Sequence, residues 1–423
     1  MAMDWPTNWI KRDFESLLGT PRAVGPFSCL LLLGPRQVGK STLLNRVVPP
    51  GTLTIELDDL DTRSRANRDP ILFAKELRVP LLVDEIQYAP MLLSQIKILA
   101  DRAPQDLQIF LTGSQSFEVM RGVRESLAGR VVILNLFGLS LAEKGISPDV
   151  SPKGLFEELF IGGFPALRTP ESSVWSRFMS SYVQTYVQRD VAELLGIQKR
   201  REFELFLKAC ALRTGQLVNY EELARDSAIS AGTAKEWLSI LEDSFLIRLV
   251  HPYFSNRTKR LIKTPKLYFL DTGLCAYLAG WRESEHIRLG PWAGAFFETA
   301  IFGELLRYHS HRGLDYQIHF WRDKEGNEVD FLLETRGEVI PIEVKLGAPN
   351  PRELLPLSKL EIPFLKDGYV VSLAISQTDN LMGIPITRDW TASGIRIDQL
   401  FAGLVSIVHV VLSMWCYVET IGI

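Results

Sequence analysis

Two glycines, a lysine and a serine near the start of the chain have the spacing of a phosphate-binding loop. They lie in GPRQVGKS, Gly34 to Ser41, which matches the pattern G-x-x-x-x-G-K-[ST]. Glycines let the backbone N–H groups of such a loop approach phosphate oxygens closely, and the following helix points its N-terminus at the same oxygens. In this pattern the lysine reaches the β and γ oxygens and the serine hydroxyl ligates Mg²⁺. The predicted site for ATP and Mg²⁺ comprises Gly34, Pro35, Arg36, Gln37, Val38, Gly39, Lys40, Ser41 and Thr42.

Four polar residues downstream are candidates for the chemistry of ATP hydrolysis. Asp84 and Glu85 end the apolar run LLVDE, and we expect Asp84 to hold Mg²⁺ and Glu85 to polarise the attacking water. Such a pair can also cap a helix, but the phosphate loop upstream favours the catalytic interpretation. Ser114, in FLTGSQ, is predicted to contact the γ-phosphate or the water. Arg130, in SLAGRV, is predicted to neutralise transition-state charge in this or a neighbouring subunit, although an arginine before a strand is often simply ion-paired.

A second group of charged residues, towards the other end of the chain, suits a divalent cation. The segment VDFLLETRGEVIPIEVK, residues 329–345, is predicted to form two strands around a turn, and alternation puts Glu343 and Lys345 on one face. Antiparallel pairing can bring Asp330 beside them, and Glu298 lies on the preceding helical segment. We therefore predict a second site, for Mg²⁺ or Mn²⁺, with Glu298, Asp330 and Glu343 as ligands and Lys345 positioning a water. The alternatives are a solvent-exposed strand edge and mutual pairing of these charges.

The elements that must position these residues can be followed along the chain. Five short apolar runs alternate with helical patterns, which is typical of a parallel α/β sheet. The runs are residues 27–33, 53–57, 79–85, 109–114 and 131–136. We predict domains in the following order: a P-loop core at 1–150, a helical connector at 151–200, a winged helix-turn-helix at 201–280, an α/β domain at 285–385 and a tail at 386–423.

Residues 218–250 have the rhythm of a helix-turn-helix. A first helix with Leu223 and Ala224 inward meets a turn at Ile229, and a second helix begins near Ala231. Such a module places its second helix in the major groove of DNA. The basic residues that follow predict a wing on DNA phosphates: Arg248, Arg257, Lys259, Arg260, Lys263 and Lys266. The same fold also serves as a protein-interaction or lid module.

The composition limits the classes of function. The chain has 423 residues with 47 basic and 50 acidic side chains, for a formal net charge of −3, so any contact with nucleic acid must be regional. Four cysteines without C-x-x-C spacing disfavour a zinc site and a disulfide framework, and a cytoplasmic location fits best. Residues 399–418 contain no Asp, Glu, Lys or Arg and are long enough to span a bilayer. They also suit a buried terminal strand or helix, or an extension that is not native to the fold.

The motifs GPRQVGKST, VDEIQ, LTGSQ, SLAGR and GGFP, in this order, resemble those of AAA-type ATP-binding proteins of prokaryotes that carry a C-terminal domain of unknown function. The resemblance covers the chain to about Leu373 and implies a P-loop ATPase sheet with strand order 5-1-4-3-2. The D…E-x-K arrangement behind a helix with a glutamate is similar to the core of PD-(D/E)xK nucleases. That core is known to persist in inactive forms.

Together these features predict an α/β protein that binds and hydrolyses ATP with Mg²⁺ and whose nucleotide state controls a DNA-binding, nuclease-like module. Two other functions fit the sequence. One is an ATP-gated switch that docks a partner through an inactive nuclease fold, and the other is an ATPase anchored to a membrane by its tail. DNA and a second copy of the chain are the candidate macromolecular partners.

Overall fold

The computed structural model describes residues 9–18, 25–102, 107–114, 126–147, 150–168, 172–191, 199–254, 264–347, 355–358, 360, 362, 365, 368–372 and 382–386. Within them the α-helices are α1 (Asp13–Leu18), α2 (Lys40–Val47), α3 (Leu60–Arg68), α4 (Pro70–Ala74), α5 (Leu92–Arg102), α6 (Pro152–Ile161), α7 (Ser172–Tyr182), α8 (Arg200–Ala211), α9 (Tyr220–Ser227), α10 (Ala231–Asp243), α11 (Thr272–Leu278), α12 (Ser284–Arg288), α13 (Ala293–Ser310) and α14 (Leu355–Ser358). A π-helix, Val183–Val191, continues α7, and short 3-10 helices span Ile86–Tyr88 and Pro165–Leu167. The strands are β1 (Cys29–Leu33), β2 (Leu53–Glu56), β3 (Leu81–Asp84), β4 (Ile109–Gly113), β5 (Val131–Asn135), β6 (Gln216–Leu217), β7 (Ile247–Val250), β8 (Lys266–Phe269), β9 (Gln317–Arg322), β10 (Glu328–Thr335), β11 (Glu338–Lys345), β12 (Gly368–Ser372) and β13 (Met382–Ile386).

Strands β1 to β5 form a parallel sheet in the order β2-β3-β4-β1-β5. Every residue of β1 and β4 is buried. Because a parallel sheet is covered on both faces, its central strands are continuous apolar runs rather than alternating ones. At the sheet edge, β2 alternates half-buried and exposed residues. The strand order implied by the motif resemblance is confirmed, and each predicted apolar run contains one of these strands.

A three-stranded sheet and helices α8 to α10 form the middle of the chain. The strands pair antiparallel in the order β6-β8-β7. The side chain of Asn219 accepts hydrogen bonds from the first turn of α9, and the Ser230 hydroxyl accepts one from the N–H of Thr233 in α10. Trp237 of α10 packs against Phe203 of α8, with ring centroids 5.3 Å apart. These caps place the starts of α9 and α10 close to where the sequence pattern predicts them.

A second five-stranded sheet has the order β13-β12-β11-β10-β9. Strands β9 to β11 pair antiparallel, and β12 pairs parallel with β11. Gly326, with φ 90°, lies in the turn between β9 and β10. The long helix α13 is buried along most of its length and contacts both β8 and β11. It therefore links the middle of the chain to this sheet.

Within the described part of the chain, no helix is both long enough and apolar enough to cross a membrane. The apolar segment 399–418 lies outside the described residues. Four of the basic residues predicted to form a wing also lie outside them: Arg257, Lys259, Arg260 and Lys263.

Candidate functional site

The predicted phosphate loop joins the carboxyl end of β1 to the first residue of α2. Gly34 has φ 151°, and a Cβ atom on it would lie 2.0 Å from the carbonyl oxygen of Leu136. Gly39 has φ 90°, in the left-handed region that glycine adopts without strain. The backbone therefore requires both glycines, one for a close approach and the other for its dihedral angle.

The side chain of Lys40 folds back over this loop. Its ammonium group donates hydrogen bonds to the carbonyl oxygens of Gly34 and Pro35, at 2.9 and 2.7 Å. Burial lowers the pKa of Lys40 to about 8, against the opposing effect of Glu85 and Asp84. The ammonium group thus lies at the loop, where the phosphate oxygens of a nucleotide come within its reach.

The carboxyl end of β3 brings Asp84 to the start of α2. The Ser41 hydroxyl donates a hydrogen bond to Asp84 Oδ1 at 2.7 Å. The Thr112 hydroxyl, from the neighbouring strand β4, donates to the same oxygen at 2.5 Å. A hydroxyl and a carboxylate are hard oxygen donors of the kind that Mg²⁺ takes, so the predicted donors fit this ion.

Gln87 lies between Glu85 and Ser114 and forms a hydrogen bond to each of them. The amide group of Gln87 donates hydrogen bonds to Glu85 Oε2 and, at 3.0 Å, to Ser114 Oγ. Glu85 has φ 54°, a left-handed conformation that is uncommon for a residue other than glycine, and its N–H donates to the Thr112 hydroxyl at 2.9 Å. Strained backbone of this kind is concentrated at functional sites. The structure therefore brings Glu85 and Ser114 together at the carboxyl ends of β3 and β4, where Asp84 also lies.

The remaining side chains of the loop differ in their surroundings. Val38 is buried, whereas Gln37 and Thr42 are exposed. Arg36 is half-buried and donates a hydrogen bond to the hydroxyl of Tyr88 at 2.6 Å.

Arg130 lies at the amino ends of the strands, whereas the phosphate loop lies at their carboxyl ends. Its carbonyl oxygen accepts a hydrogen bond from the N–H of Cys29, the first residue of β1, whereas the phosphate loop follows the last. Four residues along a strand correspond to roughly 13 Å. The guanidinium group pairs with Asp101 and donates to the carbonyl oxygen of Ala128 at 3.1 Å. The guanidinium group thus lies away from the phosphate loop of its own chain, and the role of Arg130 at this or a neighbouring subunit stays a prediction.

A buried polar network supports the loop from the other side. Arg12, 4% exposed, donates hydrogen bonds to the carbonyl oxygens of Val38 at 2.9 Å and Phe137 at 2.7 Å, and its Nε pairs with Glu143 at 3.0 Å. His311, directly after α13, accepts a hydrogen bond from the N–H of Phe137 at 3.1 Å, and its Nδ1 lies 3.4 Å from Glu143. Burial opposes ionisation, yet the neighbouring His311 and Arg12 hold the pKa of Glu143 below its usual range. The phosphate loop and the end of α13 thus share one network.

In the C-terminal sheet, the pairing of β10 with β11 brings Asp330 beside Glu343. The N–H of Asp330 donates to Glu343 Oε2 at 3.3 Å, and the N–H of Val344 donates to Asp330 Oδ2 at 2.8 Å. The Lys345 ammonium group is 2.5 Å from Glu343 Oε1. Burial, followed by the charge of Asp330, raises the pKa of Glu343 to about 8. The structure therefore brings these three predicted residues together.

A lysine from the middle sheet lies among the same carboxylates. The ammonium group of Lys266, on β8, is 2.9 Å from Glu298, is paired with Glu328, and is 4.0 Å from Asp330. The Tyr268 hydroxyl donates to Glu298 at 2.5 Å. Burial, together with the charge of Asp330, raises the pKa of Glu298 to about 7. Since Lys266 is only 3% exposed, the prediction that it contacts DNA phosphates in a wing is wrong.

The predicted second metal site does not match this arrangement. Among the described residues, no group of three or more His, Cys, Asp or Glu side chains is arranged to hold a metal ion. Glu298, Asp330 and Glu343 lie in one region, but Lys266 contacts the first of them and faces the second. A Mg²⁺ ion needs its oxygen ligands at about 2.1 Å. The carboxylates are instead compensated largely by lysines, which is the mutual pairing that the sequence left as an alternative.

Comparisons with known proteins cover most of the chain. A family model described as an AAA domain matches residues 27–144, and two domains of unknown function, DUF8612 and DUF4143, match residues 152–285 and 293–383. An uncharacterized protein of Mycobacterium tuberculosis is 30% identical over 397 residues, which cover 90% of this chain and 85% of that protein. The chain belongs to its family. An uncharacterized protein of Methanocaldococcus jannaschii is 24% identical over 411 residues, covering 84% of this chain and 83% of that protein.

Similarity of this AAA-domain protein to solved structures is weak. The FIGL-1 AAA domain in complex with ADP matches with a TM-score of 0.22 and 12% identity, covering 54% of this chain and 76% of that chain. Protein VC1899 from Vibrio cholerae matches with a TM-score of 0.17 and 11% identity, covering 82% of this chain and 88% of that chain. TM-scores of this size do not establish a shared fold. The assignment of an AAA-type ATPase domain followed by a C-terminal domain of unknown function rests on the family models and on the strand order.

Several residues of the two sites escape sequence reasoning. Gln87 and Thr112 stand two residues from Glu85 and Ser114, in VDEIQ and LTGS, so a local signal for them exists. No such signal exists for Lys266 or for the network around Arg12 and His311. Their partners are far away in the sequence and become neighbours only in the folded chain.

Proposed function

We propose that this protein hydrolyses ATP at the loop between β1 and α2, and that the nucleotide state changes the C-terminal half of the chain. The contact that carries the proposal joins the Ser41 hydroxyl to Asp84 at 2.7 Å. It unites two oxygen donors from elements that are far apart in the sequence, next to the lysine of the loop. When bound there, Mg²⁺ would neutralise phosphate charge and orient the γ-phosphate.

The side chains around this contact have separate tasks in the proposed reaction. Lys40 exchanges its carbonyl partners for oxygens of the β- and γ-phosphates. Glu85 accepts a hydrogen bond from the attacking water and polarises it, so that the water oxygen attacks phosphorus as the bond to the β-phosphate breaks. Gln87 fixes the orientation of the Glu85 carboxylate through their hydrogen bond, and Ser114 binds either the water or the γ-phosphate.

The network around Glu143 supports the proposed control of the C-terminal half. The carbonyl oxygen of Val38 in the loop bonds to Arg12, and Arg12 and His311 meet at Glu143. His311 directly follows α13, the helix that carries Glu298. Because packed helices and buried ion pairs switch between discrete arrangements, a change at the loop carbonyl is transmitted to α13 as a shift between such arrangements.

ATP turnover by purified full-length protein tests the proposed hydrolysis. We expect Lys40→Ala and Asp84→Asn to reduce turnover by at least about a hundredfold, because each removes a group that acts on transition-state charge. Lys75→Ala, which changes an exposed lysine of the same domain, should keep wild-type turnover. Wild-type turnover in Lys40→Ala contradicts the assignment of the site.

Hydrogen exchange in α13 tests the proposed control. A non-hydrolysable ATP analogue with Mg²⁺ should change the exchange of α13 amides in the wild-type protein. The change should disappear in Arg12→Met, although this variant retains the groups proposed to bind phosphate. An equal change in both proteins means that the signal does not pass through Arg12.

A second candidate function, docking on DNA, is supported by the topology of the C-terminal half. The order α8, β6, α9, α10, β7, β8 is that of a winged helix. The order α13, β9 to β11, α14, β12 matches the nuclease-like core that the motif resemblance implies. We accordingly keep the boundaries 201–280 and 285–385 for these two modules. Because Lys266 lies among the carboxylates, the geometry favours a nuclease-like core that docks over one that cuts.

DNA binding and cleavage assays separate these versions. We expect a DNA complex that Lys235→Glu weakens, since Lys235 is exposed near the start of α10, and no cleavage with Mg²⁺ or Mn²⁺. Absence of any DNA complex refutes docking on DNA. Metal-dependent cleavage that is lost in Lys345→Ala shows instead that the core is an active nuclease.

A further inference from the structure

The carboxylates Glu298, Glu328, Asp330 and Glu343, here called the carboxylate cluster, already contain a cation that belongs to the chain. We propose that the Lys266 ammonium group takes the place of a metal ion in this cluster, and that a divalent ion and this ammonium group exclude one another. This proposal rests on the nuclease-like assignment of the C-terminal domain and is independent of the ATPase reaction.

The position of the ammonium group is the first observation behind the proposal. It is paired with Glu298 at 2.9 Å and with Glu328, and it lies 4.0 Å from Asp330. An ammonium group has three donors and no acceptor, so carboxylate oxygens are the partners that suit it. A divalent ion would need the same oxygens at 2.0 to 2.6 Å, roughly where the ammonium group lies. Two cations in that space would repel each other strongly at low local dielectric.

Four further oxygens of the carboxylate cluster also have donors from the protein. Asp330 Oδ2 accepts from the N–H of Val344 at 2.8 Å. Glu343 has Lys345 on one oxygen and the N–H of Asp330 on the other. Arg322 donates to the second oxygen of Glu328 at 3.1 Å. A metal ion bound to these oxygens would therefore compete with these donors as well as with the ammonium group.

The backbone around Lys266 keeps its ammonium group in this position. Lys266 pairs with Val250 of β7 and Leu217 of β6, in the central strand of the middle sheet. Its side chain is 4% exposed, and the ammonium group lies 5.6 Å from the ring centre of Phe320. Withdrawal of the lysine would therefore require β8 to separate from α13 and β10. Through these ion pairs the carboxylate cluster connects β8 of the middle sheet to α13 and to β10 of the C-terminal sheet.

Thermal unfolding with and without Mn²⁺, in the absence of nucleotide, tests the proposal. Lys266→Gln removes the cation and leaves the cluster open to Mn²⁺, so Mn²⁺ should raise the unfolding temperature of this variant. The wild-type protein should show no such rise, because Mn²⁺ binds it at least about tenfold more weakly against the resident charge. Lys144→Gln is the matched control: Lys144 is also buried, and within the described part of the chain it is paired with one carboxylate, that of Glu158. Its response measures any Mn²⁺ bound elsewhere, including the phosphate loop.

Each outcome decides for or against the proposal. A rise in Lys266→Gln that exceeds the rise in both wild-type and Lys144→Gln supports it. Equal rises in wild-type and Lys266→Gln overturn it, because removal of the lysine then opens no additional metal position. Metal-dependent cleavage by the wild-type protein would still leave the nuclease-like assignment intact. No rise in either also overturns it, since the lysine then fills no metal position. If Lys266→Gln does not fold, Lys266→Gln with Glu328→Gln removes one cation and one carboxylate together and is read in the same way.

Discussion

Removal of the Arg12 guanidinium group should destabilise the ATPase domain more than removal of any exposed arginine. In Arg12→Met the side chain keeps an apolar stem and loses four polar contacts: with Val38 at 2.9 Å, with Phe137 at 2.7 Å, with Gly138 at 3.5 Å and with Glu143 at 3.0 Å. The three carbonyl oxygens lose a hydrogen-bond donor in a buried site, and Glu143 is left beside the ring of His311, which is neutral because its Nε2 accepts a hydrogen bond.

The size of the effect follows from this burial. Arg12 and Glu143 have side chains that are 4% and 1% exposed, so water does not replace the missing partner. Breaking a buried ion pair by removing one partner costs about 3 to 5 kcal/mol. We take this range to include the cost of leaving the carbonyl oxygens without a donor, so that cost is not added again. We expect a loss of about 4 kcal/mol in the free energy of unfolding.

Native-state hydrogen exchange of β1 and β4 measures this loss in full-length protein, because the amides of central strands exchange through domain unfolding. A loss of about 4 kcal/mol makes their exchange roughly a thousandfold faster. Arg46→Met is the matched control: Arg46 also pairs with a glutamate, Glu15, but its side chain is 39% exposed and should cost about 1 kcal/mol or less. Equal acceleration in the two variants refutes the structural role assigned to Arg12.

Three further predictions concern single groups. Burial lowers the pKa of Lys40 to about 8 in the nucleotide-free protein, so ATP affinity should be constant just below pH 8 and fall above it, by up to about tenfold per pH unit. Calorimetric titration with ATP across this range measures the affinity, and a constant affinity above pH 8 contradicts the prediction. Gly34→Ala should destabilise the nucleotide-free protein more than Gly39→Ala, since a Cβ on Gly34 meets the Leu136 carbonyl oxygen at 2.0 Å while one on Gly39 meets nothing within 4 Å. Urea denaturation compares the two, and Gly39→Ala should cost only about 1 to 2 kcal/mol of left-handed strain. Burial lowers the pKa of His309 from 6.5 to about 4, so the unfolded chain binds a proton in this window that the folded chain does not, and stability is lost as pH falls from 6.5 to 4. His309→Gln should remove up to about 3 kcal/mol of that loss, and an unchanged pH dependence of the unfolding free energy contradicts it.

The sequence predicts the nucleotide site well because its parts are local. A strand that is apolar throughout, a loop with two glycines and a helix that starts at Lys40 lie within one short segment, so pattern and structure coincide. Asp84 lies at the end of its strand for the same reason. The strand order came from the motif resemblance, since spacing along the chain does not determine which strands pair.

The sequence fails where the decisive contact is between distant segments. Lys266 stands in a row of basic residues and is therefore assigned to a wing, but its backbone position in β8 turns it towards Glu298 and Glu328. Arg130 precedes a strand whether it acts on the nucleotide or is simply ion-paired. Because β5 runs parallel to β1, Arg130 lies at the amino end of the strands, away from the nucleotide. Charge and spacing give the residue types for a site, while the packing of α13 against β8 and β11 decides which charges meet.

ATP hydrolysis by Glu85→Gln tests whether the carboxylate that follows β3 polarises the attacking water. The substitution keeps the size of the side chain and its proximity to Gln87, but it removes the carboxylate that polarises water. We expect ATP to bind this variant about as tightly as it binds wild-type protein, while single-turnover hydrolysis slows by at least about a hundredfold. Hydrolysis at the wild-type rate with unchanged ATP affinity would contradict this expectation.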